Sequence, residues 1–217
     1  MDKKFWQQKW ENNEIAFHGS EPHPLLVKNF NKLSSEKVER VFIPLCGKTL
    51  DISWFLSNGY SIVGVELSQK AIEQLFQELG IIPKISKVAN FDHYHAKNID
   101  IFVGDFFELS KAILGNVDII YDRAALVALP DTLRHKYTSH LTNITNKTPQ
   151  LLICYEYDQK MMEGPPFSIT SNEVHLHYQD HYQLHLVESI NMPQGLKGSC
   201  AAKENVWLLK KKNAFHT

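Results

Sequence analysis

No apolar run in this 217-residue chain approaches the roughly 20 residues that span a bilayer. The opening "MDKKFWQQKW" also has no signal-peptide apolar stretch. Cysteine is scarce: Cys46, Cys154 and Cys200 stand apart, with no CxxC pair. A disulfide framework is excluded, and a reducing cytosol is the expected location. Net charge is nearly absent at -1, which argues against broad electrostatic binding to nucleic acid or an anionic membrane. Lys210-Lys211-Lys212 is the only basic run, and it reads as a solvated end. There is no GxSxG and no Ser-His-Asp pattern. Glycine-rich phosphate loops are missing too. Gly47-Lys48-Thr49 ends like a P-loop, but Phe42 stands where that loop needs its other glycine. A large aromatic there blocks the amide-lined turn that wraps phosphates.

What is present is an alternation of helix and strand patterns, without repeats, linkers or low-complexity segments. Trp6 and Trp10 share one face of an opening helix, with Asp2 as its expected cap. A second helix starts near Pro24, after the breaker-rich "HGSEPHP". Strands are expected at 41–45, 60–67, up to Val103, at 117–121 and over "QLLICYEY". Ser68 and Gly80 bracket a helix between them as N-cap and C-cap. A further helix opens at Pro130. Residues 81–98 read either as a short hairpin or as one extra strand. "YQLHLVESI" and "NVWLLKKK" alternate like an antiparallel pair. The expected architecture is a doubly wound α/β domain with a mostly parallel sheet.

In such a sheet the ligand lies at the carboxyl ends of the strands. Leu45-Cys46-Gly47 follows the first strand, and Glu66 ends the second. Gly104-Asp105-Phe106 follows the third, and Asp122-Arg123 the fourth. Glu66 lies 19 residues after Gly47, the offset at which an acid grips ribose hydroxyls in dinucleotide folds. The alternative is an exposed strand-end glutamate. The single glycine of the turn speaks against a pyrophosphate and for a phosphate-free adenosine nucleoside such as S-adenosylmethionine. Asp105 is read as an acceptor for an adenine amino group or as a helix cap. Phe106 is read as a stacking face or as core. Arg123 either pairs with Asp122 or binds a carboxylate or an anionic substrate. Cys46 is a small buried hydrophobe more readily than a nucleophile. His175, His177, His181 and His185 lie in a segment that alternates like strand and turn, so no metal site is expected there.

Taken together, "FWQQKWENNEIAFH", "PLCGKTLDISWFLSNGYSIVGVELSQKAI", "GDFF", "YDRAALVALP" and "EYDQKMMEGPPFS" resemble the bacterial branch of the thiopurine S-methyltransferase family, in order and spacing from Phe5 to about Ser168. The closing "NVWLLKK" is similar to the family's last strand. The resemblance implies a Rossmann-like class I methyltransferase fold: a seven-stranded sheet with an antiparallel C-terminal strand, in one domain over residues 1–217. Residues 1–35 would form a helical lid. It implies S-adenosyl-L-methionine as cofactor, bound by Trp10, Leu45, Glu66, Asp105, Phe106 and Arg123. Phe17 would face the substrate, an aromatic or heterocyclic thiol, or a selenium or tellurium compound. Arg123 would also touch the substrate or its thiolate. "GLKGSCAAKEN" offers no match for the family's other substrate arginine. The protein is expected to be a cytoplasmic monomer. The rival readings are an NAD-binding Rossmann oxidoreductase and a cofactor-binding domain without turnover.

Overall fold

The computed structural model describes residues 3–15, 19, 21–33, 38–198 and 200–212. Asp2, the expected first cap, and Phe17 lie outside them. The chain divides into two compact units, one from the described residues of 1–28 and 36–118, the other from those of 29–35 and 119–217.

The first unit opens with α1 (Lys3–Glu11). Its sheet is built from β1 (Arg40–Pro44), β2 (Ser61–Glu66), β3 (Lys84–Val88), β4 (Phe91–Ala96) and β5 (Ile99–Val103), in the order β3-β4-β5-β2-β1. β1, β2 and β5 run parallel, with Pro44 opposite Val65 and Glu66 opposite Val103. Buried on both faces, they read as continuous apolar runs and not as alternation. The connections are α3 (Asp51–Ser57) and α4 (Gln69–Leu79). As expected, the Ser68 hydroxyl accepts from Ala71 N–H, and Gly80 ends α4 in the left-handed region at φ 66°. Residues 81–98 form the β3–β4 hairpin, closed by a tight turn with Ala89 at φ 50°. α5 (Lys111–Leu114) completes the unit.

The second unit holds β6 (Ile119–Arg123), α6 (Asp131–Ile144), β7 (Gln150–Tyr157), α7 (Ser171–Tyr178), β8 (Tyr182–Asn191) and β9 (Ala202–Lys211). Its strand order is β6-β7-β9-β8. β6 and β7 are parallel, whereas β9 is antiparallel to both of its neighbours in this unit. The helix between Pro24 and Asn29 is α2 in none of this strand traffic; it is short and continues into a 3-10 turn at Phe30–Lys32.

The described residues thus carry nine strands where seven are expected. β3 and β4 lie in the segment whose strand pattern was ambiguous: β3 is exposed on both faces and shows no buried stripe. A second correction concerns His175 and His177, which stand on a helix and not on a strand. Thr170 starts it by accepting from Glu173 N–H at 3.2 Å, the S/T-x-x-E signature of a helix start. His177 then reaches back one turn to Glu173 at 3.3 Å. Among the described residues no group of His, Cys, Asp or Glu is arranged to hold a metal ion. No described helix is long and apolar enough to cross a membrane.

Candidate functional site

In the first unit, the parallel strands end side by side and bring Leu45, Cys46, Gly47, Glu66, Asp105 and Phe106 with them. Leu45 follows β1 directly with φ at 47°, a left-handed conformation rare for a branched side chain. Such outliers persist where the surroundings over-determine them, and they cluster at binding sites. The reason is visible one residue on: Cys46 N–H donates to Val65 O at 3.1 Å, extending the strand pairing past the turn. Cys46 is buried, and its sulfur occupies the space a side chain at Gly64 would need, 2.9 Å from the position of a Cβ. Burial first, and the Glu66 charge second, push its thiol up, so it is no nucleophile.

Glu66 is 6% exposed, not the solvated strand-end residue of the alternative reading. Gly47 N–H donates to its Oε2 at 2.9 Å, and Ser68 N–H to its Oε1 at 2.9 Å. Burial raises its carboxyl above the ordinary range, while the N–H groups of Ser68, Gly47 and Leu67 pull it back. A carboxylate has about four lone-pair sites, so these two backbone donors leave room for a hydroxyl. Gly47 itself has φ 51°, and a Cβ there would come 2.9 Å from the Trp10 ring. Trp10, 4% exposed, therefore lies over the first turn.

Helix α1 is tied down at both ends. Lys70 Nζ donates to Glu11 O at 2.9 Å, and Lys3 pairs with Asp105 at 2.7 Å. Asp105 also caps the 3-10 turn that follows β5, accepting from Phe107 N–H at 3.0 Å. Phe106 is 3% exposed. Cap and core, the structural readings of these two residues, are both present. Sequence inspection missed Lys3, because its partner is distant in the chain and nothing local marks it. It also missed Asp51. That carboxylate, 1% exposed, accepts from His23 N–H at 2.7 Å and so anchors the stretch before the second helix. Lys48, the lysine of the false P-loop, is spent on Glu78 of α4 at 2.6 Å.

Arg123 belongs to the second unit, at the end of β6. The pair with Asp122, one of its two readings, does not form. Neighbouring strand residues point to opposite faces, and Asp122 is turned into the core at 0% exposed. Its oxygens accept from Leu126 N–H at 3.1 Å and Tyr137 O–H at 2.8 Å. Arg123 instead faces Tyr155: burial pushes that hydroxyl up, and the guanidinium pulls it back. Arg123 lies opposite Ile153 in the β6–β7 register, so Tyr155 is its diagonal neighbour on the same face.

The first unit's site suits a phosphate-free nucleoside: a buried acid with spare acceptor capacity, one glycine and no glycine series for a pyrophosphate. Solved structures share the fold. A Burkholderia thailandensis 1,6-didemethyltoxoflavin-N1-methyltransferase, determined with 1,6-didemethyltoxoflavin and S-adenosylhomocysteine, matches with a TM-score of 0.65 at 14% identity, over 96% of this chain and 87% of that one. An S-adenosylmethionine-dependent methyltransferase from Anabaena variabilis matches with a TM-score of 0.61 at 16% identity, over 97% and 95% of the two chains. The fold is that of the class I methyltransferases.

The family model for thiopurine S-methyltransferase matches residues 1–212. The thiopurine S-methyltransferase of Teredinibacter turnerae is 47% identical over 211 residues, 97% of this chain and 98% of that protein. That of Acinetobacter baylyi is 46% identical over 216 residues, covering 98% and 100%. The chain belongs to the thiopurine S-methyltransferase family and is a methyltransferase.

Proposed function

We propose that this chain is an S-adenosyl-L-methionine-dependent thiopurine S-methyltransferase, acting on the sulfur of aromatic or heterocyclic thiols. The observation that carries the cofactor reading is the buried Glu66 carboxylate, fixed by Gly47 N–H and Ser68 N–H with acceptor capacity left over. Family membership carries the reaction class. Selenium and tellurium compounds are further candidate acceptors on family resemblance alone. The protein works as a single domain, as a monomer, and in the cytoplasm.

S-adenosylmethionine supplies, when bound, a methyl group already activated on a sulfonium. The chain's own part is to hold, orient and keep dry. Glu66 accepts from ribose hydroxyls, and Leu45 lines the methionyl side with its left-handed backbone. Trp10 covers the ligand from α1 and excludes water. Asp105 and Phe106 lie toward the adenine. Arg123 binds the cofactor or steadies a substrate thiolate, and Phe17 is assigned to the substrate side by family resemblance alone. An aryl thiol is largely ionised near neutral pH, so no strong general base is needed. A dry site favours a step in which sulfonium and thiolate neutralise each other.

Calorimetry with S-adenosylhomocysteine and NADH separates this reading from the oxidoreductase: the first binds and the second does not. A methylation assay with 6-mercaptopurine or thiophenol tests turnover. Cofactor binding without methylated product would leave only the non-catalytic reading.

A further inference from the structure

The segment after β6 is a loop that behaves like core. Ala125 and Leu126 are 0% exposed and Val127 is 2% exposed. A buried loop must find partners for every backbone polar group. Here Asp122 is the first of them. Its Oδ1 accepts from Leu126 N–H at 3.1 Å. Val127 O accepts from Phe167 N–H at 2.7 Å, and Leu129 O accepts from Arg134 Nη1 at 3.0 Å. Between Arg123 and these anchors lies Ala124, held at φ 65°. A left-handed alanine is strained and persists only if its surroundings enforce it. Asp122 is the group that reaches across it. Tyr137, 0% exposed on α6, fixes Asp122 in turn through its hydroxyl at 2.8 Å.

We propose that Asp122 and Tyr137 are positioning residues for Arg123: together they clamp the buried turn that follows it, so that the guanidinium is presented in one orientation. On one face of β6 the guanidinium lies beside Tyr155, its diagonal neighbour; on the other Asp122 holds the backbone just beyond it. The proposal rests on the reading that Arg123 binds cofactor or substrate.

The test is a double-mutant cycle on the full chain, with S-adenosylmethionine and thiophenol. Arg123→Ala should lower kcat/KM by tenfold or more. Tyr137→Phe should lower it about threefold to tenfold, and Asp122→Ala at least as much. Asp122→Asn keeps an oxygen for Leu126 N–H and an amide for the Tyr137 oxygen, so it should stay within about threefold of the parent. Added to Arg123→Ala, neither Tyr137→Phe nor Asp122→Ala should lower kcat/KM further, because residues acting as one unit are not additive. Silent Arg123→Ala would defeat the assignment of Arg123 itself. An impaired Arg123→Ala with a silent or fully multiplicative Tyr137→Phe would overturn the clamp alone. So would an Asn variant as damaged as the Ala variant. Should Asp122→Ala fail to fold, Tyr137→Phe decides the matter.

Discussion

Two turns at the ends of parallel strands, one in each unit, solve the same problem differently. After β1 the chain passes through a left-handed Leu45 at φ 47°; after β6 it passes through a left-handed Ala124 at φ 65°. Each turn is held by a buried carboxylate that accepts backbone N–H groups. Glu66 comes from the adjacent strand β2 and meets only backbone donors. Asp122 comes from the strand that leads into its own turn, and a tyrosine hydroxyl from α6 joins the backbone as its donor. The first carboxylate ties together backbone alone; the second commits a side chain of a helix as well. The lesson is that a buried carboxylate at a strand end can serve its turn by itself or couple that turn to a second element.

The contrast breaks most visibly with pH. Burial lifts the Asp122 carboxyl from 3.8 to about 6. Among the described residues no cation offsets this: Tyr137 faces it from α6, Tyr178 from α7 and Cys154 from β7, and all three are themselves pushed up. The native state therefore takes up a proton that the unfolded chain has already lost. The stability this gives is full below about pH 4 and disappears as pH rises through about 6, an effect of about 3 kcal/mol. Asp122→Asn should flatten that part of the stability–pH profile, read from urea unfolding between pH 4 and 7. Parallel profiles for the variant and the parent would contradict the shift.

Glu66 should show its difference in binding. Glu66→Ala is expected to weaken S-adenosylhomocysteine by about 1–3 kcal/mol, roughly fivefold to 150-fold, in calorimetry. Asp122→Asn should leave that affinity close to the parent's. Equal losses in both variants would erase the distinction between the two carboxylates.

Gly47→Ala sharpens it further. The new Cβ would sit in a left-handed position and 2.9 Å from the Trp10 ring, so Trp10 must shift or the turn must strain, at a cost of about 1–2 kcal/mol. Affinity for S-adenosylhomocysteine should fall with it. A variant that lost thermal stability but bound normally would make Trp10 a core residue and nothing more. The smallest effect belongs to Lys3→Ala. Its pair with Asp105 lies at the surface, with the lysine side chain 58% exposed, and such pairs contribute below about 1 kcal/mol. A modest affinity loss that vanishes at high salt is expected; a salt-independent loss would mean that Lys3 acts otherwise.

Much of this was legible without coordinates. The parallel strands announce themselves as apolar runs, and Ser68 and Gly80 mark α4 at both ends. Glu66 stands out because its offset from Gly47 is set by the length of one strand–helix–strand unit. The β3–β4 hairpin was harder, since an exposed edge strand leaves no periodic trace. The α7 helix was misread because four histidines hid a cap that lies upstream, at Thr170. Arg123 next to Asp122 looked like a pair on paper, but adjacency along a strand separates side chains by a whole sheet thickness.

Local chemistry, then, was determined by the sequence alone: which segments are strands, where α4 begins and ends, and that a one-glycine turn faces an acid at ribose spacing. Only the tertiary structure decided how the polar groups are spent. Lys48 goes to Glu78, Lys3 to Asp105, and Asp122 to Tyr137 and Leu126. A side chain's spare hydrogen-bonding capacity depends on every donor and acceptor that folding brings within about 3 Å, and most of those come from far along the chain.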